Sequence, residues 1–119
     1  MAIYAQDNLV LENMSTILDQ LPAAVTVFDL DANMLYYNEN APQFVDRKPE
    51  LLGEDIHNCH KEPSSNKRLD EIIDGFKAGS RDPVAYTASP YGKPLSVTIV
   101  PFIVNGKLVG FIHHVIPQK

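Results

Sequence analysis

The sequence predicts an α+β fold in which an antiparallel sheet carries its helices on one face. The β-branched segments fall into two groups, the helical segments lie mostly between those groups, and strands and helices do not alternate regularly. Grouped strands and helices are typical of α+β folds, whereas a doubly wound parallel fold needs alternation. The 119 residues, 45% of them hydrophobic, suit one domain that buries its own core.

The first predicted element is an amphipathic helix over residues 7–21. We separate the N-terminal segment of residues 1–21, which contains it, from a main domain over residues 22–119. Asp7 or Asn8 can cap its start, and Pro22 ends it. Its apolar stripe needs a partner surface, and two partners stay open: the rest of the domain, or the same helix of a second subunit. In the second case the helix is a dimer interface formed by Leu11, Met14, Leu18 and Leu21.

Five strands follow from β-branched content, alternation and turn signals. Asn105-Gly106 is the strongest short hairpin signal in the chain. Alternation in the fourth strand places Leu95, Val97 and Ile99 on one face. The predicted strands cover residues 24–29, 34–37, 84–88, 95–104 and 107–116.

Helical segments are predicted between the second and third strands. Residues 41–45 form a short helical stretch, and residues 49–53 form a single turn that ends at Gly53. A longer helix follows a serine cap within residues 63–66 and ends at Gly79. Its apolar positions have helical spacing and are Leu69, Ile72, Ile73 and Phe76.

Charge and composition argue against several classes of protein. The net charge is −5, and basic residues do not cluster beyond Lys67-Arg68, so we expect no direct binding to nucleic acid. We expect no membrane span, because no apolar run approaches the roughly 20 residues that one needs. The N-terminus lacks the basic flank and apolar centre of a signal peptide. Cys59 is the single cysteine, which suits a cytoplasmic location.

Several phrases occur in an order and spacing that resemble a PAS domain across nearly the whole chain. They are ILDQLPAAVTVFD at residues 17–29, DANMLYYNENA at 31–41, ELLG at 50–53 and NGKLVGF at 105–111. The resemblance implies a five-stranded antiparallel sheet with a helical face, and a core that holds a ligand in some members. It also implies use as a sensor or docking module in kinases, chemoreceptors and transcription regulators.

The sequence departs from the family pattern at one turn, where Asp31-Ala32-Asn33 lacks the common glycine, and it has no evident photoactive cysteine motif. Residues 52–65 resemble a subgroup with a Cys-His-x-x-Pro-x-Ser stretch before the long helix, found in bacterial and archaeal regulators.

His57, Cys59 and His60 form the one dense cluster of metal-ligand residue types. A structural zinc site normally needs a second pair of ligands, so we expect no metal there, although His113-His114 could fold nearby. Imidazole suits the axial position of haem, which makes His57 or His60 candidates for non-covalent haem. The simpler interpretation is that these histidines cap or hydrogen-bond, and that Cys59 is a buried thiol. We expect no catalytic residues, since adjacent Cys59 and His60 lack an orienting third group.

A ligand pocket is predicted between the long helix and the sheet. Its walls would be mainly apolar, with Tyr86 or a histidine orienting the ligand; alternatively, the same residues form a filled core. His113 and His114 are consecutive on a strand, so one faces inward, and the sequence leaves open which. The candidate pocket residues are His57, Cys59, His60, Ile72, Ile73, Phe76, Tyr86, Val97, Ile99, Phe111 and His113.

Three functions remain open at this point. The first is a homodimeric PAS-type sensor that binds a small ligand or partner and acts on a signalling output domain or protein. The second is a ligand-free, constitutive dimerisation domain. The third is a haem- or metal-dependent redox or gas sensor that uses the His57–His60 cluster.

Overall fold

Five strands form one antiparallel sheet in the computed structural model, which describes residues 8–58 and 63–118. The strand order is β2-β1-β5-β4-β3, so the two groups of strands meet where β1 pairs with β5. The predicted five-stranded antiparallel sheet is confirmed. The strands are β1 Ala24–Asp29, β2 Met34–Tyr37, β3 Val84–Ala88, β4 Leu95–Val104 and β5 Lys107–Pro117.

Helices precede the sheet and fill the connection between β2 and β3. Two short helices, α1 (Leu9–Glu12) and α2 (Met14–Asp19), come first. The long helix α3 spans Pro63–Lys77. Three single 3₁₀ turns lie between β2 and α3, at Ala41–Gln43, Pro49–Leu51 and Ile56–Asn58. No helix within residues 8–58 and 63–118 is long and apolar enough to cross a membrane.

The N-terminal segment corrects one prediction, because the expected single helix over residues 7–21 is divided at Asn13. This residue has φ −122° and ψ 26°, and its side-chain Nδ2 donates a hydrogen bond of 2.8 Å to the Leu9 carbonyl. Asparagine competes in this way with the helical hydrogen bonds of its neighbours. Asp7, one of the two predicted caps, lies outside the described residues. The division of the chain into residues 1–21 and 22–119 stays a prediction.

The start of α3 corrects a second detail. The helix begins at Pro63, so Ser64 and Ser65 lie within it and do not precede it as a cap. Proline is favoured in the first helical turn because it has no N–H to satisfy there and its φ angle is already helical.

Helix α3 packs on the inner face of the sheet and forms the core with it. Phe28 of β1 and Phe111 of β5 stack at the centre, with ring centroids 4.8 Å apart. The predicted alternation in β4 is confirmed for Leu95, Val97 and Ile99, which are all buried, whereas Ile103 farther along the strand is exposed. The core residues that α3 and β4 contribute are Leu69, Ile72, Ile73, Phe76, Leu95, Val97 and Ile99.

The β4–β5 turn has the backbone conformation that its residues favour. Asn105 and Gly106 both have positive φ, 51° and 77°, as a two-residue type I′ turn requires. In the β1–β2 turn, which lacks a glycine, Ala32 has φ 65°, a conformation that alanine rarely adopts. The Asp29 carboxylate accepts bonds of 2.9 Å from the backbone N–H groups of Asp31 and Asn33, which holds that turn closed.

Candidate functional site

A group of buried polar side chains lies at the middle of the inner sheet face. Thr26 of β1 is opposite His113 of β5, and Arg47 reaches Thr26 from the loop between two 3₁₀ turns. The exposed fractions of Thr26, His113 and Arg47 are 0%, 4% and 5%, respectively, and most of the other buried side chains are apolar. We call Thr26, Arg47 and His113 the polar centre.

Arg47 is the charged member of the polar centre. Its Nε donates to Thr26 Oγ1 at 3.0 Å, and its Nη1 donates to the Asp46 carbonyl at 2.9 Å. Its guanidinium carbon lies 5.8 Å from the centroid of the Phe28 ring. A buried charge is costly unless polar groups and aromatic faces compensate it, so these contacts fix the guanidinium in place.

The structure resolves which of the two consecutive histidines faces inward. His113 is buried and lies edge-on to Phe28, with ring centroids 6.3 Å apart and an interplanar angle of 88°. His114 is exposed on the opposite face. The polar centre therefore combines a guanidinium, an imidazole and a hydroxyl, groups that together can hold a polar or anionic group in apolar surroundings.

Most of the predicted apolar pocket residues are buried in the packed core, as the filled-core alternative expects. They are Ile72, Ile73, Phe76, Val97, Ile99 and Phe111. Ile72 and Phe76 also border an open cleft of ≈ 470 Å³ between α3 and the edge strand β3, together with the half-buried Tyr86. The role of all these residues in ligand binding stays a prediction. The remaining residues that line this cleft are Arg68, Glu71, Gly75, Ser80 and Val84.

Tyr86 and Arg68 form the polar side of the α3–β3 cleft. The Arg68 guanidinium lies over the Tyr86 ring, 4.5 Å from its centroid, which is a close cation–π contact. Burial raises the pKa of the Tyr86 hydroxyl, and the Arg68 charge offsets part of that rise. The phenol is therefore neutral near pH 7 and offers an O–H donor beside a fixed cation.

His57 forms a bridge between two carboxylates. Its Nδ1 bonds to Asp55 Oδ1, and its Nε2 bonds to Asp70 Oδ1 of α3 at 2.6 Å. Desolvation lowers the pKa of His57, but the hydrogen bonds and charges of Asp70 and Asp55 outweigh it, and the net pKa is raised. Both ring nitrogens are engaged, so His57 offers no nitrogen to a haem iron in this arrangement. We call Asp55, His57 and Asp70 the histidine clamp.

Metal binding has no support within the described residues. No grouping of three or more His, Cys, Asp or Glu side chains within residues 8–58 and 63–118 could hold a metal ion. The two carboxylates of the histidine clamp bind opposite sides of one ring and do not converge on a shared point. Cys59 and His60 lie outside the described residues, so their predicted roles in a pocket or at haem stay predictions.

A hydrogen-bonded joint, which sequence reasoning missed, ties α2 to the β1–β2 hairpin. Asn38 is fully buried, and its Nδ2 donates to the carbonyls of Leu18 (2.8 Å) and Ala23 (2.9 Å). Its Oδ1 accepts from Val25 N–H at 2.9 Å. The sequence predicts only the short helical stretch that follows at residues 41–45, and not these hydrogen bonds.

Two further residues complete this joint. Asn40 Nδ2 donates to the Asp19 carbonyl at 3.0 Å and to the Leu21 carbonyl at 2.7 Å. The Asp19 carboxylate accepts from the backbone N–H of Glu39 at 2.8 Å. We call Asp19, Asn38 and Asn40 the helix joint.

The predicted dimer-interface residues lie on a helical segment that the rest of the chain leaves largely uncovered. Leu11 is 52% exposed, Met14 and Leu21 are each 40% exposed, and Leu18 is half-buried. Neither α1 nor α2 contains a buried residue. Leu9, next to this stripe, is 66% exposed.

The sheet, the helices on its inner face and the N-terminal helices define a class of small α+β domain. A family model described as PAS domain matches residues 14–116. The chain belongs to the PAS domain family, a family of sensory modules in signal transduction, and the resemblance found in the sequence is confirmed. The Cys-His-x-x-Pro-x-Ser subgroup stays a prediction.

Solved structures share this fold. The C-terminal domain of a Streptococcus mutans protein is 25% identical, with a TM-score of 0.75 over 92% of this chain and 85% of that chain. The PAS domain of Bordetella pertussis BvgS is 22% identical, with a TM-score of 0.71 over 94% and 88%. The PAS domain of the Cronobacter turicensis quorum-sensing receptor RpfR, in complex with BDSF, is 12% identical, with a TM-score of 0.61 over 84% and 97%. Among curated proteins, no sequence matches the chain.

Proposed function

We propose that this PAS domain is a homodimeric sensory module of bacterial or archaeal signal transduction or transcription regulation. A small ligand or a partner on the helical side of the sheet is its input, and the packing of the N-terminal helices is its output. It acts on a signalling output domain or protein and catalyses no reaction. A cytoplasmic location is part of the proposal, since one cysteine suits a reducing compartment.

The uncovered apolar stripe of α1 and α2 is the observation that carries this proposal. Leu11, Met14 and Leu21 expose large fractions of their side chains, although the helix joint holds the end of α2 against the sheet. Burial of apolar area stabilises association by roughly 25 cal/mol per Å² before entropic costs are subtracted. A second copy of the same stripe supplies a matching apolar surface through a two-fold axis.

The helix joint offers a short path from the sheet to these helices. Asn38 accepts from Val25, and the next residue along β1 is Thr26, which accepts from Arg47 in the polar centre. A movement of the polar centre, or of the helices that cover it, would therefore displace β1 at Thr26. Val25, the residue that bonds to Asn38 of the helix joint, is its immediate neighbour. A two-state packing of α1 and α2 is the switch that such a path can bias.

The dimer is tested by the solution mass of the protein. We expect the wild type to sediment as a dimer, and the double variant Leu11→Gln/Met14→Gln to shift towards monomer with an unchanged circular dichroism spectrum. Truncation before Ile17 should weaken the dimer in the same way. Leu52→Gln is the matched control, since Leu52 is 45% exposed away from the stripe. Equal dimerisation of the wild type and the double variant would exclude this interface.

The packed core favours a second candidate, a ligand-free constitutive dimerisation domain. The centre of the inner face is filled by Phe28, Phe111 and Ile99, each of which is at most 1% exposed to solvent. Native mass spectrometry of gently purified protein separates the two candidates. A dimer with additional bound mass supports the sensor, and a dimer with the mass of two bare chains supports the constitutive domain.

A further inference from the structure

Gly75 is a glycine in the interior of α3 for which residues 8–58 and 63–118 provide no steric reason. Glycine is, after proline, the least favourable residue inside a helix. Such a glycine usually permits a close approach by a neighbouring element, but a Cβ atom built at Gly75 would meet no atom of the described residues within 4 Å. Gly75 instead lines the open cleft between α3 and β3. The space in front of it belongs to the cleft.

The cleft has the volume of a small-molecule site. Its ≈ 470 Å³ lies within the range of roughly 300–1,000 Å³ that is usual for such sites. One wall is α3, which contributes Ile72, Gly75 and Phe76, and the other includes Tyr86 of β3. A cleft that lacks a Cβ atom at Gly75 and contains the aromatic ring of Tyr86 suits a flat ligand better than a branched one.

Arg68 supplies the charge that selects the ligand. The Tyr86 ring positions its guanidinium at the cleft, and no residue within 8–58 and 63–118 forms an ion pair with it. Glu71 also lines the cleft, but no such ring contact positions it. A positioned guanidinium binds a carboxylate or sulfonate well, whereas Glu71 weakens the binding of any anion nearby.

We propose that the α3–β3 cleft binds a small, flat, apolar molecule that carries one anionic group. The ring system lies between Gly75 and Tyr86, and the anionic group pairs with Arg68. This proposal deepens the proposed sensory function and rests on it, because it names the class of ligand and the site at which the input binds.

The test uses two fluorescent probes that share a ring system. Anilinonaphthalene sulfonate is flat, apolar and anionic, and N-phenylnaphthylamine has the same rings without the sulfonate. Both are titrated against the whole chain in the Leu11→Gln/Met14→Gln background, so that the exposed N-terminal stripe does not bind them. We expect saturable binding of the anionic probe with one site per chain.

Four variants separate the effect of cleft shape from the effect of charge. Gly75→Leu fills the cleft and should weaken both probes by about tenfold or more. Arg68→Gln should weaken the anionic probe by about threefold and leave the neutral probe within about twofold. Glu71→Gln should tighten the anionic probe, since it removes a like charge. Gly75→Ala, a smaller change that favours the helix, keeps the test valid if the leucine variant unfolds.

The outcomes distinguish this site from the dimer interface. Unchanged binding in Gly75→Leu, or equal effects of Arg68→Gln on both probes, would overturn the cleft assignment. Loss of probe binding in the Leu11→Gln/Met14→Gln background would also overturn it, because the probe would then have bound the N-terminal stripe. The solution mass of the wild type, measured without a probe, reports separately on the dimer, so either proposal can fail while the other stands.

Discussion

Gly110 is the position at which the sheet tolerates no side chain. A Cβ atom there would overlap the carbonyl oxygen of Phe28 in the neighbouring strand. Backbone atoms in the middle of a sheet cannot move aside as a flexible side chain can. We therefore expect Gly110→Ala to lower the free energy of unfolding by at least about 2 kcal/mol, measured by urea denaturation.

Gly75→Ala is the control for that prediction, since among residues 8–58 and 63–118 the added Cβ atom meets no atom within 4 Å at this site. Alanine is a better helix former than glycine, so the expected effect is a gain of roughly 0.5–1 kcal/mol. Similar losses at Gly110 and Gly75 would show that the close approach to Phe28 does not determine the cost.

Asn38 should be the most costly polar side chain to remove from the helix joint. Asn38→Ala leaves two carbonyls and one N–H in a buried region without their side-chain partner, and we expect a loss of about 3 kcal/mol. Asn40→Ala removes two hydrogen bonds at a more exposed position and should lower the free energy of unfolding by about 1 kcal/mol. Thermal or urea unfolding of both variants measures the difference, and equal costs would contradict a central role for Asn38.

The members of the polar centre differ in how far the sequence could reveal them. Thr26 follows from alternation, because it shares a face with the apolar Ala24 and Phe28. Arg47 had no signal, since it lies in a loop and arginine is rarely buried. His113 could not be distinguished from His114, because Val109 forms a bulge opposite Phe102 and Ile103.

That bulge changes the face on which each later residue of β5 lies. Leu108 packs against the core, and strict alternation from it would place His114 inside. Pairing across the bulge advances the register by one residue, so Phe111 and His113 face inward instead. The inward histidine is therefore determined by strand pairing, which local sequence does not show.

At the scale of elements, the histidine clamp connects the 3₁₀ turn Ile56–Asn58 to α3. His57 and Asp55 belong to the segment before α3, whereas Asp70 is two turns into the helix. Both contacts are partly exposed, so we expect a modest contribution to stability. The clamp nevertheless depends on the charge of one imidazole, which gives it a dependence on pH.

The sign of that dependence follows from the raised pKa of His57. The folded chain holds the proton more tightly than the unfolded chain, whose histidine titrates near its ordinary value of about 6.5. The stabilisation is therefore fully present below about pH 6.5 and is lost as pH rises through the folded pKa. Melting temperatures should show a larger advantage of the wild type over His57→Gln at acidic pH than at alkaline pH.

The exposed His114 provides the matched control for this titration. His114→Gln removes an imidazole that faces away from the core, and it should keep the pH profile of the wild type. A His57→Gln profile parallel to that of the wild type would show that the clamp does not contribute.

The elements themselves were predictable to different degrees. All five strands were predicted with at most one residue of error, because alternation and the Asn105-Gly106 turn are local signals. The break at Asn13 was not, because the apolar spacing runs through it without interruption. Helices as short as α1 and α2 are weak in isolation, so contacts outside the periodic pattern decide where they break.

At the scale of the whole molecule, two apolar features of the described residues face away from the core. The stripe on α1 and α2 is one, and the outer sheet face, with half-buried Val25, Val27 and Ile112, is the other. The sequence could predict that the helical stripe needs a partner, since spacing shows amphipathicity. It could not show which surface covers the stripe, because one chain's pattern carries no information about a second chain.

Coupling between folding and dimerisation should therefore appear in thermal unfolding. If the dimer buries α1 and α2, mass action stabilises the folded state more at higher protein concentration. We expect the melting temperature of the wild type to rise across a hundredfold range of concentration, while that of Leu11→Gln/Met14→Gln stays constant. Leu52→Gln should retain the concentration dependence of the wild type, because Leu52 lies outside the stripe. If the melting temperature of the wild type does not change with protein concentration, association through the N-terminal helices does not stabilise the folded chain.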